Sequence, residues 1–153
     1  NPLEWDPMVS FQQFEHQSVV SFNDQKEALR LAISKIKKYI DVNSKESLTY
    51  LKNIVIYGAP GTGKTFIIEI IVLYCLSKGL NVMSTSLMGV RANALGGIHI
   101  HKIFPFRVHN SSKLSSLKRA EHAFEKIKRN VLMLHAILTM DVLNVDEFAS
   151  LSS

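Results

Sequence analysis

Gly58-Ala59-Pro60-Gly61-Thr62-Gly63-Lys64-Thr65 decides the fold. It fits the phosphate-binding pattern G-x-x-x-x-G-K-[ST] at every fixed position. The flanks agree with it. Asn53-Ile54-Val55-Ile56-Tyr57 upstream is a short apolar run of strand type, and Phe66 to Leu76 downstream is an apolar segment of helical length. Glycine lets the backbone approach phosphate oxygens, successive N–H groups bind the anion, and the following helix adds partial positive charge. Gly58, Ala59, Pro60, Gly61, Thr62 and Gly63 are therefore expected to wrap the phosphates of ATP. Lys64 is expected to reach the β- and γ-phosphates, and the Thr65 hydroxyl to ligate Mg²⁺.

A second cluster lies near the end of the sequence. Val142-Leu143-Asn144-Val145 reads as a buried strand, with Asp146-Glu147 at its C-terminal end. Ligands of open parallel sheets bind beyond the carboxyl ends of the strands, so Asp146 and Glu147 are expected at the same edge as Lys64 and Thr65. Asp146 would hold Mg²⁺, and Glu147 would orient or deprotonate the attacking water. Lys64, Asp146 and Glu147 are the expected catalytic residues. Asn144 interrupts the apolar run without an evident reason.

Between these clusters, Lys78-Gly79 is expected to end the helix after the phosphate loop, with Gly79 left-handed. Asn81-Val82-Met83-Ser84-Thr85 reads as the next strand, so a parallel sheet with a right-handed crossover follows. Residues 86–106 read as a loop that interleaves glycines, basic side chains and Phe104, a mixture suited to a single-stranded nucleic acid. His99 and His101 lack the spacing and the companions of a metal site. Leu117 to Met140 reads as mainly helical with a break near Asn130. Ala120, Phe124 and Ile127 are expected on one face of it, opposite Lys118, Arg119, Lys126, Lys128 and Arg129.

Upstream, residues 1–21 read as an extended lead-in that docks a few aromatic side chains. A helix is expected from Asn23 or Asp24 as its cap, burying Leu29, Ile33, Ile36 and Ile40.

Composition bounds the rest. The 153 residues suit one domain, and 46% hydrophobic with 20% charged content suits a globular core, which excludes a disordered chain. The net charge of +5 is compatible with a polyanionic partner. A single cysteine, Cys75, excludes an intramolecular disulfide; its apolar helix assigns it to the core. The longest apolar stretch is interrupted by Glu69 and is too short to span a bilayer, so no membrane association is expected. An intracellular, reducing compartment is expected, nucleus or mitochondrion in a eukaryote.

With these pieces placed, the sequence resembles the superfamily 1 DNA helicases of the Pif/RecD-like group over Phe22 to Leu151. Phe22-Asn23-Asp24-Gln25 looks like the upstream glutamine motif, which implies that Gln25 reads the adenine edge. Thr85 to Ala92 and Gly96 to Phe104 look like the first motif that contacts single-stranded DNA, with His101 and Phe104 on its histidine and aromatic. Met88, Arg91, His99 and Lys102 depart from its usual threonine, alanine, threonine and serine. The implied DNA contacts are Arg91, Gly97, His101, Lys102 and Phe104. Asp146 to Leu151 looks like the Asp-Glu motif.

The resemblance implies an α/β fold, a three-layer parallel sheet of the P-loop NTPase, RecA-like kind, here incomplete. Residues 1–21 would be an N-terminal extension. Residues 22–153 would be the N-terminal part of the ATPase domain, truncated after the Asp-Glu motif. ATP and Mg²⁺ are the implied cofactors. The implied partners are single-stranded DNA and a second RecA-like domain of the same chain, which completes the ATP site. The implied activity is 5′ to 3′ unwinding, with roles in DNA repair and recombination; the fragment by itself would bind nucleotide but hardly hydrolyse it. Two alternatives stay open: a loader or remodeller of the AAA+ type, in which the same phosphate loop is common, and a non-catalytic module that binds nucleotide or nucleic acid.

Overall fold

The computed structural model describes residues 4–16, 22–41, 53–86, 97–103 and 116–146. The chain divides into two units, Asn1–Gly79 and Leu80–Ser153.

In the first unit, α1 (Pro7–His16), α2 (Asn23–Asp41) and α3 (Lys64–Ser77) pack on one another. The lead-in is thus helical from Pro7, which corrects the extended reading. Asp6 Oδ1 accepts from the Met8 N–H at 2.8 Å, and Pro7, which has no N–H to lose, occupies the first helical position. Aromatic docking does occur: Phe11 is buried, its ring centroid 6.3 Å from that of Phe66 on α3. The Trp5 indole donates to Ser10 Oγ at 2.9 Å.

α2 starts at Asn23, with Lys26 N–H donating to the Phe22 carbonyl, so Asn23 and Asp24 lie inside its first turn. Its buried face is Leu29, Ala32, Ile33 and Ile36, while Ile40 is half-buried. On the outer face Arg30 holds both oxygens of Glu27 at 2.8 and 2.6 Å. Those hydrogen bonds lower the Glu27 pKa; an exposed pair of this kind adds little stability. α3 buries Ile67, Ile70, Tyr74 and Cys75. Burial pushes the Cys75 thiol up to about 11, which leaves it protonated and inert, as a core residue should be. Gly79 follows with φ +77°, and its N–H donates to the Leu76 carbonyl.

Residues 53–57 do not form the expected strand: they carry no ladder among the described residues. A strand exists only as half of a pair, and apolar composition cannot supply the partner. Residues 54–57 instead border a groove of about 280 Å³, together with Ala28, Leu31, Ala32 and Lys35 of α2. Val55 is 66% and Tyr57 91% exposed.

The second unit holds a parallel sheet of three strands, β1 (Val82–Ser86), β2 (Ile98–His99) and β3 (Val142–Asp146), in the order β2-β1-β3. Asn81 ties the starts of β1 and β3 together. Its N–H donates to Asp141 Oδ2 at 2.8 Å and its amide to the Thr139 carbonyl at 3.0 Å. Its own carbonyl accepts from Asp141 and Val142 N–H. The segment expected as loop therefore contributes β2, and after it a helical turn, α4 (Ile100–Ile103).

Two helices precede β3: α5 (Ser116–Arg129) and α6 (Val131–Thr139). The break falls at Asn130, whose Oδ1 accepts from the Met133 N–H at 3.1 Å. On α5 Ala123 is buried and Ile127 half-buried, whereas Ala120 and Phe124 are exposed, so of the expected face Ile127 alone turns inward, one turn from Ala123. Lys128 lies 4.8 Å from the Phe124 ring centroid and 3.1 Å from Glu125 Oε1, so that aromatic supports the charged side. Among the described residues no helix is long and apolar enough to cross a membrane.

β2 comes alongside β1 because position 97 is a glycine. A Cβ there would stand 2.2 Å from the Ser84 carbonyl oxygen, a backbone atom that cannot swing aside. Gly97→Ala should cost about 1–3 kcal/mol, the usual penalty of overpacking. A urea midpoint equal to that of the parent protein would show that β2 does not depend on this approach.

Candidate functional site

The phosphate loop turns at Pro60-Gly61, bends through Thr62-Gly63 and opens α3 at Lys64. Gly61 and Gly63 both have φ +78°, in the left-handed region where a Cβ is costly. Gly63 is the N-cap of α3, and no side chain caps that helix. The first turn of that helix therefore faces the loop with no capping side chain on it among the described residues, and a helix N-terminus suits an anion.

Lys64 folds back over the loop. Its Nζ donates to the carbonyls of Gly58 at 2.9 Å and Ala59 at 2.7 Å, with Thr62 Oγ1 at 3.5 Å. The Thr62 hydroxyl donates to the Ala59 carbonyl at 2.8 Å. The ammonium is thus held by neutral acceptors, which a phosphate oxygen would replace with a stronger, charge-assisted bond. Thr65 is half-buried in the first turn of α3. Gln25 joins this group: its Nε2 donates to the Thr62 carbonyl at 3.3 Å. The helical start at Asn23 places that amide against a loop thirty-seven residues away. Gln25, the loop, Lys64 and Thr65 are therefore gathered in one unit.

Asp146 belongs to the other unit. It ends β3 and is 8% exposed, paired in register with Ser86 of β1, which is itself paired with His99. Side chains alternate along a strand, so His99, Ser86 and Asp146 make a row across one face at the carboxyl end of the sheet. Asn144 and Ser84 form the next row on that face. The polar residue that interrupts the strand thus lies opposite another polar residue, although its buried Nδ2 has no hydrogen-bond partner among the described residues. Glu147 lies outside the described residues.

Of the expected DNA contacts, Gly97, His101 and Lys102 are described; Arg91 and Phe104 lie outside the described residues. Gly97 serves close packing on β1. Lys102 is exposed and His101 half-buried on α4, flanked by buried Ile100 and Ile103. His99, the residue that stands where the resembled motif usually has threonine, accepts a hydrogen bond at Nδ1 from the His101 N–H at 3.2 Å. Among the described residues no three His, Cys, Asp or Glu side chains gather around a common point. Magnesium prefers oxygen donors, and the Thr65 hydroxyl in the first unit and the Asp146 carboxylate in the second are each a donor of that kind.

Compared with protein families, residues 23–149 match the family model described as PIF1-like helicase. Neither the curated proteins nor the solved structures contain a match.

The left-handed cap makes a separable prediction. A Cβ at Gly63 meets no atom within 4 Å, so Gly63→Ala is strained through φ alone. It should lose about 1–2 kcal/mol of stability in urea. A loss near zero would mean that the loop adopts another backbone conformation.

Proposed function

The chain belongs to the PIF1-like helicases, and from that premise we propose that it is a nucleotide-binding, DNA-contacting part of an ATP-dependent DNA helicase with 5′ to 3′ polarity. Helicase and ATP-hydrolase activity come with the family, as does general use of nucleotide and Mg²⁺. The finer assignment is ours. Gly58 to Gly63 wrap the triphosphate, and Lys64 leaves the Gly58 and Ala59 carbonyls to hold the β- and γ-phosphates. Gln25 hydrogen-bonds the adenine edge. Thr65 and Asp146 would hold Mg²⁺, which would supply charge neutralisation on the phosphates. Glu147 takes the proton of the attacking water. Gly97, His101 and Lys102, with Arg91 and Phe104, face single-stranded DNA. A second RecA-like domain completes the ATP site, and a reducing intracellular compartment, with roles in DNA repair and recombination, belongs to the same reading.

The observation that carries it is the hydrogen bond from Gln25 Nε2 to the Thr62 carbonyl. A phosphate loop by itself fits a loader of the AAA+ type equally well; an amide brought to the loop from the start of α2 favours a site that also reads the base.

Lys64→Ala in the full chain should abolish ATP turnover, and unimpaired hydrolysis would remove Lys64 from its role. Glu147→Gln should retain bound ATP while slowing hydrolysis by about two orders of magnitude or more, the usual scale of general-base catalysis. Gln25→Ala should reduce the preference for ATP over GTP. Preserved base preference in that variant would favour the loader instead. Should titration with a non-hydrolysable ATP analogue and Mg²⁺ show no binding at millimolar ligand, a non-catalytic module that binds nucleic acid or a partner, with a vestigial phosphate loop, is the better account.

A further inference from the structure

We infer that His99 is a positioning residue: its imidazole caps α4, the turn that presents His101 and Lys102, and so orients the surface that meets the backbone of single-stranded DNA. The inference rests on the DNA-contacting reading above.

His99 closes β2 in extended conformation, and Ile100 opens α4. His99 therefore occupies the N-cap and His101 the second helical position. The bond from the His101 N–H to His99 Nδ1, 3.2 Å, joins the two positions that a capping side chain serves. The acceptor in this bond is the lone pair of the Nδ1 ring nitrogen. A four-residue helix cannot hold itself: nucleation fixes several dihedral angles for one hydrogen bond. α4 is held from outside at three places. The register pair Ser86 with His99 fixes its start on the sheet, and Gly97 allows β2 to lie against Ser84. Ile100 and Ile103, 5% and 0% exposed, anchor its inner side. The cap sets the remaining freedom, the direction in which the turn leaves the strand. The His101 ring lies 5.2 Å from that of His99, tilted by 32°, and so follows the same support. Lys102, outside the anchored side, is left exposed.

The test compares His99→Val, His99→Thr and His99→Asn in the full chain, each checked for parent-like circular dichroism. Hydrogen exchange at the His101 and Lys102 amides reports the cap, and the affinity for fluorescent oligothymidylate reports the surface. Valine, without an acceptor, should speed exchange and weaken binding by about fivefold, the scale of a lost N-cap. Threonine and asparagine, both good caps, should restore both readouts. Unchanged exchange in His99→Val, or failure of both caps to restore it, overturns the capping role. If exchange follows the cap while affinity stays constant in all three, the cap stands; the DNA surface, and with it the positioning role, falls.

Discussion

The ammonium of Lys64 rests on two carbonyl oxygens of its own loop, 2.7 and 2.9 Å away, and the geometry of the first unit turns on that contact. A cation there must have oxygens around it. The loop supplies them by turning its carbonyls toward the lysine, which φ +78° at Gly61 and Gly63 makes possible. The same bend leads into α3, whose apolar face locks the loop to the helical layer through Ile67, Ile70 and Tyr74. A phosphate bound there would compete with backbone dipoles for one charge, on a loop that is mostly solvent-exposed.

The second unit obeys a different constraint. A parallel sheet has no hairpin to set its register, so the register must come from contacts at the strand ends. Asn81 provides one by holding the residues around Asp141, and Gly97 provides another by admitting β2 against Ser84. The row His99, Ser86, Asp146 follows from them. A slip of one residue would turn Asp146 to the other face.

Features encoded by a local pattern were legible in the sequence: the phosphate loop, the helix after it, the left-handed Gly79, the break at Asn130 and the strand that ends at Asp146. Each depends on a handful of neighbouring residues. Gln25, which the family resemblance singled out, lies against the loop through its bond to the Thr62 carbonyl, a contact between residues thirty-seven apart that no local pattern encodes. Where the outcome depended on a distant partner, local pattern misled. Residues 53–57 have strand composition but no ladder among the described residues. On α5, Ala120 and Phe124 look as fit for burial as Ala123, and only the packing selects among them. The helix at Pro7 is encoded locally, since Asp6-Pro7 is an N-cap followed by a residue suited to the first helical position, although the aromatics around it are scattered without a clear helical period.

Helix starts also separate structure from site. Asp6 caps α1, His99 caps α4 and Asn130 caps α6, each with a side chain that accepts a first-turn N–H. α3 opens on Gly63, which has no side chain to offer. Caps fix the direction of a helix by satisfying donors that would otherwise need water. A start without such a cap, as at α3, forgoes that stabilisation, about 1 kcal/mol for a good cap, and a phosphate there could take the donors instead. The same rule explains how His99 can stand where the helicase pattern usually has threonine: the position needs an acceptor within reach of the second helical N–H, and the imidazole Nδ1 supplies it as a hydroxyl would.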